Sequence, residues 1–445
     1  MPSHRRLACK LNYFQSIILL FAMVILIGAV LLMLPISAQG HTVTPFHEAL
    51  FTATSAVCVT GLVVRDTASH WSAFGQAVLM VLIQIGGLGV ITVGASFSLL
   101  SGRRISLSQR GRMQEAMSAP KVGGIVRLTG FVIRTSLMIE GIGALCMLPV
   151  FCRDFGVSGI WKAVFHSVSA FCNAGFDLMG TPDTPFVSLT AYRADPVINL
   201  TISALIVVGG IGFLTWDDVR TNRLCFHRYR LQSKVILTAT ALLILLPTLF
   251  FFCFEFKGGT LRERLLLSLF QSVTPRTAGF NTADYTSLSG SGRGLTILLM
   301  FIGGSPGSTA GGIKTTTAAV LVANAFAVFR RQKSPEMFGR RMEEKAVYDA
   351  AAIFTLYLVL SLTGAFVIGT VEGLPLSECL FETTSAIATV GLSLGLTPHL
   401  GIVSQGILIF LMFIGRVGGL TMIYAALSGS KSSAARLPQE RITVG

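Results

Sequence analysis

Four times along this chain, a segment too short to cross a membrane ends in glycine between two apolar runs long enough to cross one. The first is Phe51-Thr52-Ala53-Thr54-Ser55-Ala56-Val57-Cys58-Val59-Thr60-Gly61. Phe165-His166-Ser167-Val168-Ser169-Ala170-Phe171-Cys172-Asn173-Ala174-Gly175 repeats the plan, as does Phe381-Glu382-Thr383-Thr384-Ser385-Ala386-Ile387-Ala388-Thr389-Val390-Gly391. A further copy, Leu269-Phe270-Gln271-Ser272-Val273-Thr274-Pro275-Arg276-Thr277-Ala278-Gly279, lies between these two and is one residue shorter if Phe270 is its anchor. The period of roughly 110 residues is far longer than that of a solenoid. A bilayer tolerates irregular backbone at depth only where it is buried in protein or lines a water-filled cavity. The four copies therefore read as four quarters of one pore.

The apolar runs are 14–34, 74–100, 126–150, 197–214, 235–254, 295–329, 348–371 and 405–427, about eight helices at about 20 residues per crossing. The 295–329 run is too long for one crossing, and glycine and proline break it in the middle. Segments such as 47–57 and 377–388 are too short to cross and read as re-entrant. The composition agrees: 52% of residues are hydrophobic and 13% charged, against about 25% charged in soluble domains. The basic, then apolar, N-terminus lacks an A-x-A cleavage site, so the first run is expected to be a retained transmembrane helix. The fold class expected is an all-α polytopic membrane protein, with four fused helix, half-helix, helix units around a pseudo-fourfold pore. The units are 13–101, 122–218, 233–330 and 346–428, between cytoplasmic tails 1–12 and 429–445.

A formal charge of +14 would suggest nucleic acid in a soluble protein. Here the basic residues crowd short loops: Arg5, Arg6 and Lys10; Arg103, Arg104, Arg110, Arg112 and Lys121; Arg220, Arg223, Arg228, Arg230 and Lys234; Arg330, Arg331, Lys333, Arg340, Arg341 and Lys345; Lys431 and Arg436. All fall on one side, so both termini are expected in the cytoplasm. The half-length segments then enter from outside, the side that carries Asp66, Asp177, Asp183 and Asp195. The eight cysteines show neither a C-x-x-C pair nor a histidine at metal spacing, so no disulfide and no zinc are expected. No Ser/His/Asp set, metal cluster or usable carboxylate pair points to an intramembrane enzyme.

A potassium ion leaves water only if oxygen ligands replace its hydration shell, which rings of backbone carbonyls do. Glycine permits the dihedral angles such a ring needs, and the C-terminal end of each half-helix points partial negative charge at the axis. A helix C-cap would explain any one of these glycines. Four of them, each between two spans and on one side, point to a pore.

The motifs Thr60-Gly61-Leu62, Asn173-Ala174-Gly175-Phe176, Thr274-Pro275-Arg276-Thr277-Ala278-Gly279-Phe280-Asn281 and Thr389-Val390-Gly391-Leu392 resemble those of Ktr-type (KtrB-like) potassium transporter membrane subunits, of the Trk/Ktr/HKT superfamily. The resemblance extends over nearly the whole chain, from Leu34-Pro35-Ile36-Ser37 to Arg416. It implies potassium contacts at the glycines and the two residues before each: Val59, Thr60 and Gly61; Asn173, Ala174 and Gly175; Thr277, Ala278 and Gly279; Thr389, Val390 and Gly391. In plant relatives a serine replacing the first glycine goes with sodium transport, so glycine at all four positions favours potassium. The resemblance also implies a homodimer on a cytoplasmic ring of nucleotide-binding RCK (KtrA-like) subunits.

A second echo lies on the later helix of each quarter: Ile85-Gly86-Gly87, Val208-Gly209-Gly210, Ile302-Gly303-Gly304 and Ile414-Gly415-Arg416. Small residues there let helices approach closely. Arg416 replaces the second glycine in mid-span, where a charge faces a cavity or a partner; either a pair with Glu140 or a cation barrier below the four stretches fits it. Gly303-Gly304-Ser305-Pro306-Gly307-Ser308-Thr309-Ala310-Gly311-Gly312-Ile313-Lys314 breaks the sixth run. Ile313 separates Gly312 from Lys314, and the flanks are transmembrane, so this is no nucleotide-binding loop. It reads as a gate loop facing Arg416, and the resemblance implies the same restriction of the pore. Lys314 either anchors the loop or snorkels to the cytoplasmic interface. The function expected is passive or sodium-coupled potassium uptake through a pore. The competing class is an alternating-access carrier, whose broken helices sit in inverted repeats.

Overall fold

The computed structural model describes residues 13–90, 92–93, 110–111, 113–114, 124–223, 225–332, 334–419, 422 and 440. The tails 1–12 and 429–445 lie outside the described residues, apart from residue 440. Arg5, Arg6, Cys9, Lys10, Arg103, Arg104, Arg112, Lys121, Lys333, Lys431 and Arg436 lie outside them too, as do the ends of the runs at 100 and 427.

Each quarter begins with a long leading helix: Tyr13–Met33, Ile125–Phe155, Leu231–Phe250 and Glu344–Glu372. Predominantly apolar sequence makes these spans, and many of their side chains face outward, including Leu26, Leu145, Leu246 and Phe366. Such exposure is stable only against lipid, because water would penalise each apolar face by about 25 cal/mol per Å2. Pro149 and Pro247 sit near the ends of two of these helices. After Pro247 the ladder slips into a π-turn, Phe251–Glu255, whose end is closed by the Phe256 amide donating to the Phe251 carbonyl.

The half-helices are Phe46–Val57, Ser158–Phe171, Leu261–Val273 and Leu376–Ile387. Their C-terminal halves are buried almost without exception, including the fully buried rings of Phe51, Phe165, Phe171 and Phe381. The return helices are Ala73–Leu88, Pro196–Ile211, Gly290–Phe301 and Ile402–Val417. Three start on side-chain caps: Ser72 accepts from the Gly75 amide, Asp195 from the Val197 and Ile198 amides, and Ser289 from the Gly292 amide. Each cap satisfies N–H groups left over at a helix start.

The return helices correct the sequence expectation. The runs 74–100, 197–214 and 405–427 read as continuous crossings, with only 295–329 broken. In the structure, every return helix stops partway. The first, second and fourth end at Gly89 (φ 88°), Gly212 (φ 98°) and Gly418 (φ 95°), dihedrals that only glycine adopts readily. After Gly212, the helix Phe213–Asn222 turns away by 94°. The third ends at Ile302, where the 303–312 loop begins. Among the described residues, four helices are therefore long and apolar enough to cross on their own, or five if the bent pair is one span.

The recurring glycine before each break has a steric reason. A Cβ on Gly86 would lie 2.1 Å from the Val57 carbonyl oxygen, one on Gly209 2.1 Å from that of Phe171, and one on Gly415 2.0 Å from that of Ile387. The first, second and fourth return helices thus press against the C-terminal ends of their own half-helices, closer than any side chain permits. The chain is an integral membrane protein of helices, with, among the described residues, one short ribbon, Glu336–Met337 paired to Arg340–Arg341, in the third connecting loop.

Candidate ion pathway

The chain leaving each half-helix alternates in handedness. Val59 (φ 56°), Asn173 (φ 59°), Thr277 (φ 68°) and Thr389 (φ 51°) are left-handed, the next residue is not, and Gly61 (φ 91°), Gly175 (φ 70°), Gly279 (φ 79°) and Gly391 (φ 90°) are left-handed again. An ordinary strand points successive carbonyls to opposite sides; this alternation brings them to one side. For β-branched Val59, Thr277 and Thr389, a left-handed φ costs about 1–3 kcal/mol each, so the surroundings must impose it.

They do so by hydrogen bonds repeated in all quarters. The Thr60, Ala174 and Val390 amides donate to the carbonyls of Ser55, Ser169 and Ser385, five residues back. In the shorter third copy, the Ala278 amide reaches the Thr274 carbonyl, four residues back. The same serines and threonine also brace the chain with their hydroxyls. Ser55 Oγ accepts from the Gly61 amide and Ser385 Oγ from the Gly391 amide, each at 3.0 Å. Ser169 Oγ donates to the Phe176 carbonyl at 2.7 Å, and Thr274 Oγ1 to the Phe280 carbonyl. These four were not singled out in the sequence, although a hydroxyl at one place in every copy was the signal.

The four glycines close a ring. A Cβ on Gly61 would lie 2.4 Å from the Ala174 carbonyl oxygen, one on Gly175 2.6 Å from that of Ala278, one on Gly279 2.5 Å from that of Val390, and one on Gly391 2.0 Å from that of Thr60. Each quarter thus abuts the next, and the fourth abuts the first, around a common axis. The Thr60, Thr277 and Thr389 hydroxyls are buried without a partner among the described residues. Above the ring opens a cavity of about 350 Å3 whose lining includes the four glycines, Asp66 and Asp177.

Below the ring lies the 303–312 loop, which makes up for the broken second return helix. The Ser305 amide donates to the Gly210 carbonyl (2.9 Å), the Thr309 amide to that of Gly209 (3.3 Å), and the Phe213 amide to that of Gly307 (2.7 Å). Thr309 Oγ1 donates to the Phe171 carbonyl at the end of the second half-helix, 3.0 Å away. The loop also underlies the fourth copy: a Cβ on Gly311 would lie 2.0 Å from Thr389 Oγ1, and one on Gly312 2.8 Å from the Ala388 carbonyl. A Cβ on Gly304 would meet Ala310 within the loop at 2.3 Å.

Arg416 donates to the carbonyls of Thr309 in this loop and of Gly86 and Gly87 on the first return helix. It does not pair with Glu140, which accepts both its contacts (2.9 and 3.2 Å) from the Gln84 amide nitrogen. Lys314 does not snorkel: Nζ donates to the Ala310 carbonyl at 2.8 Å and the Gly311 carbonyl at 3.4 Å, holding the loop closed on itself. A cation from the fourth quarter thus joins the first quarter to a loop of the third that leans on the second. All four meet beneath the ring.

A family model described as TrkH, cation transport protein, matches residues 11–434. The potassium/sodium uptake protein NtpJ of Enterococcus hirae is 40% identical, over 99% of this chain and 99% of its own. Ktr system potassium uptake protein B of Bacillus subtilis is 41% identical, over 96% of this chain and 95% of its own. The crystal structure of the potassium transporter TrkH from Vibrio parahaemolyticus shares the fold, with a TM-score of 0.75 at 17% identity, covering 95% of this chain and 86% of that one.

Proposed function

Because the chain belongs to the TrkH family of cation transport proteins, we propose that it takes up potassium across the cell membrane through the axial ring. The observation that carries this is the closed sequence of glycine-to-carbonyl approaches, each quarter against the next. Carbonyls turned to one side around an axis replace a cation's hydration shell, and the unpartnered Thr60, Thr277 and Thr389 hydroxyls offer further oxygens. The names of the relatives, potassium/sodium uptake protein and Ktr system potassium uptake protein, support potassium as cargo, and the first names sodium beside it.

In this reading the filter is Val59–Gly61 and its three counterparts, and the gate is loop 303–312 with Lys314 and Arg416. Both termini lie in the cytoplasm, and the quarters keep the boundaries given above. The chain works as a homodimer on a cytoplasmic nucleotide-binding RCK ring. The ring runs through the quarters in chain order with one sense, which favours a pore over the inverted repeats of an alternating-access carrier. Reconstituted in vesicles, the protein is expected to take up rubidium or potassium in preference to sodium, with initial rates compared with and without sodium. Inserted protein that moves sodium as readily as potassium would sink the potassium reading.

The mouth sets a pH dependence. Burial raises the Asp177 carboxyl to about 6; the Met179 amide bond opposes this, nearby Asp66 adds to it, and Lys162 and the Ser188 hydroxyl oppose it. Asp177 is therefore charged at an external pH of 7 and neutral at 5. Since one carboxylate in a cation's approach changes capture modestly, rubidium uptake at subsaturating concentration is expected to fall about two- to threefold between external pH 7 and 5. Asp177→Asn should show the lower rate at both values. A slope retained in that variant would assign the titration elsewhere.

A further inference from the structure

Each half-helix in the second, third and fourth quarters holds the chain rising from the ring at two rungs. The first rung is the Ser169, Thr274 or Ser385 hydroxyl described above. The second stands three residues earlier, on the same helix face, directly after the half-helix phenylalanine: His166, Gln271 and Glu382. His166 Nδ1 donates to the Lys162 carbonyl at 2.7 Å, leaving Nε2 to accept from the Leu178 amide at 3.3 Å. Gln271 Nε2 donates to Thr282 Oγ1 at 3.4 Å, and Gln271 Oε1 accepts from the Tyr285 hydroxyl. Glu382 is fully buried. Its Oε1 accepts from Ser393 Oγ (2.7 Å) and the Leu394 amide (2.9 Å), and its Oε2 from Thr397 Oγ1 (2.6 Å).

The first quarter lacks this rung. Thr52 Oγ1 turns back to the Glu48 carbonyl at 2.9 Å. In its place, the half-exposed Arg65 is clasped by Glu48 in a two-bond pair at 2.8 and 2.9 Å. Four different chemistries thus tie the chain two to six residues beyond a ring glycine back to its own half-helix.

Resting on the pore reading, we propose that Glu382 is a specificity-determining positioning residue, whose carboxylate fixes the fourth wall of the filter by holding 393–397. It never meets the ion; Ser393, Leu394 and Thr397 stand between. Of the four, it makes the most contacts: both carboxyl oxygens are used and three donors are held, in a fully buried place. Gly311 and Gly312 of the loop press against the fourth wall, so a shift of that wall is passed directly to the loop.

The clamp depends on geometry, and substitutions separate that from charge. In Glu382→Gln, Oε1 keeps Ser393 and the Leu394 amide, and the Thr397 hydroxyl reverses to accept from the new amide. In Glu382→Ala all three donors lose their partner. The experiment measures inhibition of rubidium uptake by sodium in vesicles, with inserted protein quantified for each variant. Glu382→Ala is expected to lower rubidium-over-sodium discrimination about tenfold, with Glu382→Gln close to the parent. Should Glu382→Ala fail to insert, Thr397→Val and Ser393→Ala each remove one donor and are expected to lower discrimination severalfold. Unchanged discrimination in inserted Glu382→Ala, or in both donor variants, overturns the proposal. Equal losses in Glu382→Gln and Glu382→Ala overturn it too, because the charge would then be what matters. Parent protein that fails to discriminate defeats the pore reading instead.

Discussion

Replacing Arg416 with alanine is expected to raise rubidium flux by about tenfold or more in vesicles, at equal inserted protein. Two effects add. Two unit charges about 8 Å apart at an effective dielectric of about 20 repel by about 2 kcal/mol, a factor of about 30 in rate. The guanidinium also holds the barrier in place, donating to Thr309 in the loop and to Gly86 and Gly87 on the first return helix. Hydrogen bonds to a charged group contribute about 1.5–3 kcal/mol each, so their loss frees the loop from the first quarter. Arg416→Lys should give an intermediate flux, since an ammonium keeps the charge but not the planar fork that reaches two segments. Shortening 303–312 should also raise flux, unless removing the loop's bonds to Gly209, Gly210 and Phe213 unseats the second return helix. Thr309→Val separates the two outcomes, because it removes only the Phe171 bond and should raise flux severalfold without affecting insertion. Unchanged flux in Arg416→Ala and Thr309→Val together would show that neither group restricts the path.

The second large effect belongs to the ring. Gly391→Ala and Gly61→Ser each put a Cβ where a neighbouring carbonyl stands, 2.0 Å from Thr60 and 2.4 Å from Ala174, on residues at φ 90° and 91°. An L side chain in that conformation strains the backbone, and the clash must push the next quarter's carbonyl outward. A displaced carbonyl no longer matches potassium better than sodium. Selectivity between these ions should fall at least about tenfold in both variants, read as sodium inhibition of rubidium uptake, with the larger loss in Gly391→Ala. Gly40→Ala is the matched control: it too has a positive φ, 83°, but its Cβ would have nothing within 4 Å. It should leave selectivity unchanged.

How much of this could be read from the chain follows from what a repeat displays. Gly61, Gly175, Gly279 and Gly391 announce themselves by recurring, and the shorter third copy reappears in the structure as the Ala278 amide bonding four rather than five residues back. The broken return helices were missed at Gly89, Gly212 and Gly418. An apolar run on either side of a glycine reads as one span, and only a backbone φ near +90° separates the halves. Arg416 was recognisable as an anomaly because a charge in mid-span demands a partner. Which partner it takes was not, since carbonyls of Gly86, Gly87 and Thr309 leave no mark on a side-chain pattern. The second rungs escaped for a related reason. His166, Gln271, Glu382 and Thr52 share a position but no chemistry, so only hydrogen-bond geometry shows that three of them act alike.

Ion density measured in the protein itself tests the filter most directly. Anomalous diffraction from rubidium-soaked crystals should place a peak on the axis between Gly61, Gly175, Gly279 and Gly391, within coordination distance of the Thr60, Ala174, Ala278 and Val390 carbonyls. In Gly391→Ala crystals the same peak should weaken or vanish. Rubidium bound away from this axis, in a cleft between two quarters with none in the ring, would contradict a fourfold carbonyl filter and favour a carrier site instead.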